Sequence, residues 1–199
     1  MTAIKICGLM RQADITALNA AMPEYAGFVF AGGRHHLDPD QARQLIVNLA
    51  PMITPVGVFK DNSEAEIEAA LATGIQIVQL HGNESESLIK RLQSRGVRVI
   101  RAFVGQPTRI PTTAADYVML DAGAGSGKKL DWTHIPRPRQ PLFLAGGITP
   151  DNIEQAIASV QPDVIDVSSG AETDGFKDAQ KINALVASAH QQERIVSYE

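Results

Sequence analysis

A closed (β/α)8 barrel, the TIM-barrel class, is the fold this sequence predicts, on three observations. Eight short apolar runs bounded by turn residues alternate with helical or helix-replacing segments along the 199 residues. No linker or low-complexity tract interrupts them, so residues 1–199 read as a single small domain. The rival for such alternation, a doubly wound open sheet, carries a glycine fingerprint after its first strand, and Cys7-Gly8-Leu9-Met10 does not supply one. Barrels of this class usually run to about 250 residues, so the connections here must be short.

Taken in order, the first strand covers residues 3–7, where alternation puts Lys5 and Cys7 on one face and Ile4 and Ile6 on the other. Helical spacing over roughly 11–21 leads to a short buried strand at Gly27-Phe28-Val29-Phe30. Asp38-Pro39 opens a helix to about Leu49, with the aspartate as N-cap and proline at the first helical position. Ile53 to Phe59 is a β-branched strand, Asn62 or Ser63 caps a helix carrying Ile67, Ala70 and Leu71, and Ile75 to Leu80 is the fourth strand. A helix over about 84–95 ends at Gly96, and the strand Val97 to Phe103 follows. The fifth helix is eroded, because Pro107, Pro111 and the nearby threonines read as loop. Asp116 to Asp121 is the sixth strand, Gly123 to Gly127 a long loop, and Asp131-Trp132 starts a brief helical piece. Leu142 to Ala145 is the seventh strand, followed by a helix over Pro150 to Ser159 with Thr149 as cap. Asp163 to Ser168 and a helix from Asp178 to about His190 complete the series.

At 44% hydrophobic and 20% charged residues, the chain can bury a substantial core. A net charge of −4 without Lys/Arg blocks argues against a general nucleic-acid or membrane surface, so a small-molecule substrate is to be sought in a local site. One cysteine excludes an intrachain disulfide, and no apolar run has the length of a signal or membrane segment. A cytoplasmic protein, monomeric in the simplest case, is expected. No His/Cys/Asp cluster has metal spacing, and neither a Gly-Lys-Ser/Thr nucleotide loop nor a Gly-x-Ser-x-Gly elbow occurs.

In such barrels the active site lies at the carboxyl ends of the strands. The first end offers Cys7. Lys5 on the same face would favour the thiolate and lower the pKa from about 8.5 towards neutrality, fitting Cys7 as a base, although a lone cysteine also suits a buried apolar position. The sixth offers Asp121, which shares a face with Tyr117 and Met119; a desolvated carboxyl there would serve as a general acid, and an aspartate capping the next loop would look the same. After the seventh and eighth strands, Gly146 and Gly147, then Ser168, Ser169 and Gly170, leave backbone N–H groups open to an anion, which points to a substrate phosphate. His81, in Gln79-Leu80-His81-Gly82, could orient a substrate ring or carboxylate, or serve as a structural hydrogen-bonding residue. Arg34, in the loop after the second strand, could grip a carboxylate in bidentate fashion, or simply be solvated.

Together these motifs resemble the phosphoribosylanthranilate isomerase family of tryptophan biosynthesis over nearly the whole chain. The matching stretches are Lys5-Ile6-Cys7-Gly8-Leu9, Gly57-Val58-Phe59, Val78-Gln79-Leu80-His81-Gly82, Leu120-Asp121 and Gly125-Ser126-Gly127-Lys128 with Asp131-Trp132. Ala145-Gly146-Gly147-Ile148, Asp166-Val167-Ser168-Ser169-Gly170-Ala171-Glu172 and Lys177-Asp178 continue the order. The resemblance implies a cofactor-free Amadori rearrangement of N-(5-phosphoribosyl)anthranilate, an aldose–ketose isomerisation, with Asp121 protonating the furanose oxygen and Cys7 removing the C2 proton. It also implies an arginine facing the anthranilate carboxylate, but counting back from Pro39 that place is held by His35, with Arg34 one residue early. Either side chain could then take the role. Two other readings stand beside this one. A histidine-pathway type of phosphosugar isomerase would use two aspartates, which Cys7 argues against. A non-catalytic barrel that binds a sugar phosphate has no need of both Cys7 and Asp121.

Overall fold

The computed structural model describes residues 2–123 and 130–191; the Gly125-Ser126-Gly127-Lys128 motif and the tail beyond Gln191 lie outside the described residues. The apolar runs form eight strands, β1 (Ala3–Cys7), β2 (Tyr25–Val29), β3 (Thr54–Phe59), β4 (Ile77–Leu80), β5 (Arg98–Val104), β6 (Tyr117–Asp121), β7 (Leu142–Ala145) and β8 (Val164–Val167). Each pairs in parallel with its sequence neighbour, and β1 pairs with β8 from Ala3↔Val164 to Ile6↔Val167, closing the barrel. Among the described residues six helices accompany them: α1 (Gln12–Ala21), α2 (Pro39–Ile46), α3 (Glu64–Leu71), α4 (Glu86–Ser94), α5 (Ile153–Val160) and α6 (Ala179–His190). No helix links β5 to β6, so the eroded unit is real, and Trp132–His134 forms a single 3-10 turn before β7.

Strand alternation decides what faces the site. Ile4, Ile6, Val118, Leu120 and Ile165 point outward into the layer under the helices, all fully buried. Val56, Ile77, Ile100, Met119, Phe143 and Val164 fill the barrel interior. Tyr25 and Tyr117 flank Phe143 with ring centroids 5.6 and 5.5 Å away, plugging the end of the barrel where the strands begin. Burying one such apolar side chain contributes about 1.5–3 kcal/mol. The same parity turns Lys5, Cys7, Asp121 and Asp166 inward.

The caps follow local chemistry. Asp38 accepts from the Gln41 N–H at 2.8 Å with Pro39 behind it, and Ser63 caps α3 by accepting from Glu66. Two helices differ from expectation. α2 stops at Ile46, and residues 47–49 close as tight turns, with the N–H of Asn48 donating to Leu45 and that of Leu49 to Ile46. α5 starts at Ile153 with Asn152 in the N-cap place, because Asn152 accepts from the Thr149 N–H at 2.9 Å and donates to the Gly147 carbonyl at 2.9 Å. That clamp folds 149–152 into a turn tied to the β7 loop.

The sequence reading also passes over a hairpin. β9 (Glu172–Thr173) and β10 (Phe176–Lys177) pair across Asp174 and Gly175, whose φ values of 50° and 83° are the left-handed pair that a two-residue hairpin turn requires. Asp-Gly between short β-formers is a strong signal for it. The hairpin puts Glu172 directly opposite Lys177.

Candidate active site

A cleft of about 700 Å³ opens at the carboxyl ends of the strands. Cys7 reaches it from β1, Asp121 from β6, His81 from the end of β4, and Ser168 and Ser169 from the end of β8. Arg34 and His35 enter it from the loop after β2. Seven of the residues singled out from the sequence therefore share one cavity.

The thiol occupies a fitted space. Gly27 on β2 pairs with Cys7, and a Cβ at Gly27 would lie 2.8 Å from the sulfur, so the absent side chain is what makes room for it. Lys5 is fully buried and donates to Asp166 Oδ1 at 2.8 Å. Here the structure corrects the expectation for Cys7. Burial pushes the thiol up, and the Lys5 ammonium, which pulls the other way, is opposed by Asp166 on its far side. The net direction is above the ordinary thiol value rather than towards neutrality.

Asp121 is buried at the cleft wall. Its Oδ1 accepts from the Gly123 N–H at 3.0 Å, while Oδ2 stands 3.3 Å from His81 Nε2. The two readings of this aspartate, loop cap and cleft carboxyl, are thus both realised in one side chain. His81 Nδ1 lies 3.3 Å from Gln79 Nε2, and Gln79 Nε2 in turn lies 3.2 Å from the Met119 sulfur. His81 is therefore held between an interior amide and the carboxylate.

At the lip, Glu172 gathers three side chains. Its Oε1 meets Lys177 Nζ at 2.5 Å and His35 Nε2 at 2.8 Å, and its Oε2 accepts from Arg34. Lys177 also donates to the Ser168 carbonyl at 3.1 Å, which ties the hairpin to the end of β8. Burial works against the Glu172 carboxylate, but the Lys177 hydrogen bond and charge, with His35 and Arg34, hold its pKa below the usual value. Burial and the nearby Lys177 and Arg34 hold the His35 pKa below its usual value despite Glu172, so the ring is neutral at pH 7. His35 lies over Gly8, where a Cβ would come 2.9 Å from the ring.

Gly146, Gly147 and Gly170 do not line this cleft. Gly146 and Gly147 have φ of 96° and 65°, and a Cβ on Gly146 would stand 2.5 Å from the Ala122 Cβ. A Cβ on Gly170 would stand 1.8 Å from the Ile148 carbonyl oxygen. These glycines let the loops after β6, β7 and β8 touch. Ser169 and Gly170 also border a second hollow of about 450 Å³, with Thr149 and Lys181 on its other sides.

With this geometry in view, the comparison with known proteins is direct. The family model described as N-(5'phosphoribosyl)anthranilate (PRA) isomerase matches residues 4–188. The chain belongs to that family. It is 47% identical to the N-(5'-phosphoribosyl)anthranilate isomerase of Lacticaseibacillus casei (strain BL23) over 190 residues, 95% of each chain. The crystal structure of TrpF from Jonesia denitrificans matches with a TM-score of 0.84 at 33% identity, covering 98% of this chain and 99% of that one. That of phosphoribosyl anthranilate isomerase from Thermus thermophilus matches with a TM-score of 0.83 at 31% identity, covering 96% and 100%. Phosphoribosylanthranilate isomerases are aldose–ketose isomerases of tryptophan biosynthesis, and both the barrel and the isomerase class read from the sequence stand.

Within this isomerase the sequence reading gives no separate role to Asp166, Glu172 or Lys177, although all three sit in matched motifs. The period-2 rule could have found Asp166, since it shares the inward face of β8 with Val164. The Asp174-Gly175 turn could have found the Glu172–Lys177 pair. Among the described residues no group of three or more His, Cys, Asp or Glu could hold a metal ion, and no helix is long and apolar enough to cross a membrane.

Proposed function

We propose that this chain rearranges N-(5-phosphoribosyl)anthranilate to 1-(2-carboxyphenylamino)-1-deoxyribulose 5-phosphate, with Asp121 as general acid and Cys7 as general base. The observation that carries this reading is the shared cleft: Cys7 and Asp121 reach it from β1 and β6, strands that are not neighbours in the barrel. A sugar held between them presents its ring oxygen to one and C2 to the other.

Asp121 donates its proton to the furanose oxygen, the C1–O bond breaks, and the nitrogen lone pair forms a C=N bond at C1. That Schiff base makes the C2 hydrogen acidic. Cys7 as thiolate takes it, giving an enolamine that tautomerises to the 2-ketone. Burial that pushes the thiol up makes its thiolate the stronger base once formed; pH then controls how much is present.

The substrate phosphate goes to the loops after β7 and β8, with backbone N–H groups of Gly146, Gly147, Ser168, Ser169 and Gly170 as its donors. Arg34, the exposed cation at the lip, faces the anthranilate carboxylate, with His35 beside it and His81 orienting Asp121. The protein works as a cytoplasmic monomer without a cofactor. Loss of anthranilate-type fluorescence on adding enzyme to freshly prepared substrate reads the reaction. Cys7→Ala and Asp121→Asn are each expected to abolish it while leaving the circular dichroism spectrum unchanged, and turnover by Cys7→Ala at the parent rate would remove the assignment.

A further inference from the structure

We infer that Glu172 is a positioning residue for substrate selection: its carboxylate fixes the Arg34 guanidinium at the cleft lip, so that the cluster presents one uncompensated positive charge to a substrate carboxylate. The inference rests on the placement of the anthranilate carboxylate beside Arg34.

Arg34 and Lys177 bring two permanent cations to one anion, Glu172, and His35 is neutral at pH 7, so the cluster carries a net charge of about +1. Three neighbouring cations are already matched: Lys5 by Asp166, Arg11 by Asp14, and Lys181 by Asp178 and the Glu172 carbonyl, to which its ammonium donates at 2.6 Å; Lys60, just past β3, is a further cation lining the cleft outside this cluster. The surplus sits on Arg34, because Lys177 is buried against Glu172 and the Ser168 carbonyl whereas Arg34 is 55% exposed.

Geometry then says what the surplus selects. A guanidinium has five N–H donors in a fixed plane, and Arg34 meets Glu172 through Nη2 alone. His35 Nε2 also lies 3.2 Å from Nη2, so it is the Nε and Nη1 N–H groups that remain to donate to a substrate carboxylate. An exposed arginine without an anchor spends most of its time elsewhere; the two-pronged Glu172, with Oε1 on Lys177 and His35 and Oε2 on Arg34, removes that freedom before substrate arrives. Glu172 is itself anchored from behind, by the hairpin register that sets it opposite Lys177. Glu172 therefore acts through Arg34 and touches no reacting atom.

The test compares two substrates that differ only in the carboxylate: N-(5-phosphoribosyl)anthranilate and N-(5-phosphoribosyl)aniline, the latter formed from ribose 5-phosphate and aniline. Glu172→Gln is expected to lower the ratio of kcat/KM for the first over the second by about tenfold, the worth of one charge-assisted hydrogen bond, through KM for the anthranilate compound more than through its kcat. Arg34→Gln, which alters an exposed side chain, lowers the same ratio, and adding Glu172→Gln to it lowers it no further. If Glu172→Gln does not fold, Glu172→Asp, one methylene shorter, is read by the same ratio. Equal losses on both compounds, or an unchanged ratio, would overturn the inference. Turnover of the anthranilate compound by the unaltered chain tests the functional reading separately.

Discussion

The Lys5 ammonium lies 2.8 Å from the Asp166 carboxylate with both groups buried, and its charge also acts on the Cys7 thiol, two residues along the same inward face of β1. Lys5 is thus shared between the Asp166 carboxylate and a thiol whose pKa burial pushes up. The first two predictions follow from that sharing.

The rate should climb with pH further than an ordinary thiol would allow. The active form of Cys7 is the thiolate, so below the thiol pKa log kcat/KM rises by about one per pH unit, and a raised pKa extends the rise above about pH 8.5. Initial fluorescence rates from pH 6 to 9.5 measure this. A plateau reached below pH 7 would contradict the base assignment.

Asp166→Asn removes an anion that raises the thiol pKa and leaves the Lys5 charge unshared. The rising limb of the pH profile should move to lower pH. The cost is a buried lysine without its partner, about 3–5 kcal/mol in urea unfolding. A stability loss with an unmoved profile would separate the ion pair from the chemistry.

Gly27→Ala should hurt Cys7 from the neighbouring strand. The new Cβ meets the sulfur at 2.8 Å and the Cys7 Cα at 2.9 Å, so either the thiol or the β1–β2 pairing shifts. Overpacking of this kind costs about 1–3 kcal/mol, and a displaced base lowers kcat by up to about a hundredfold. Thermal melting and kcat measured together distinguish the two responses.

His81→Ala should lower kcat by about tenfold, the scale of one polar contact that orients the general acid, where Asp121→Asn abolishes it. The basis is the 3.3 Å approach of His81 Nε2 to Asp121 Oδ2. If both variants are equally inactive, His81 is itself a proton carrier.

Acid should unfold the protein partly through the lip cluster. The folded-state pKa of Glu172 is held below its unfolded value, so its contribution is present above about pH 4.3 and lost as pH falls through the lower folded value. His35, also held low, binds a proton more readily when unfolded and weakens the fold as pH drops below about 6.5. Melting temperatures between pH 7 and pH 3 should fall less steeply for Glu172→Gln than for the parent.

Much of this was legible in the sequence because one rule, alternation along a strand, governs both fold and site. It places Ile4 and Ile6 under the helices and Cys7 in the cleft, and it does the same for Leu120 against Asp121. What it cannot give is the sum of opposing influences at a point. Lys5 beside Cys7 suggests a lowered pKa until Asp166, 161 residues away in sequence, proves to hold the ammonium. Arg34 and His35 likewise looked like rivals for a substrate group, whereas both lean on Glu172, which a hairpin delivers from far along the chain. The phosphate-loop glycines matched by type but carry a packing reason of their own, since Gly146 and Gly170 sit where neighbouring loops meet.

The seam between β1 and β8 has a bearing on how the molecule comes into being. Of the eight strands, the one bearing the cysteine is synthesised first and the one bearing Asp166 last, so the two cannot meet until seven connections have been laid down. Contacts of such sequence separation form late and slowly. Catalytic competence should consequently appear only with ring closure, making recovered activity on refolding a reporter for the joining of the two ends of the sheet.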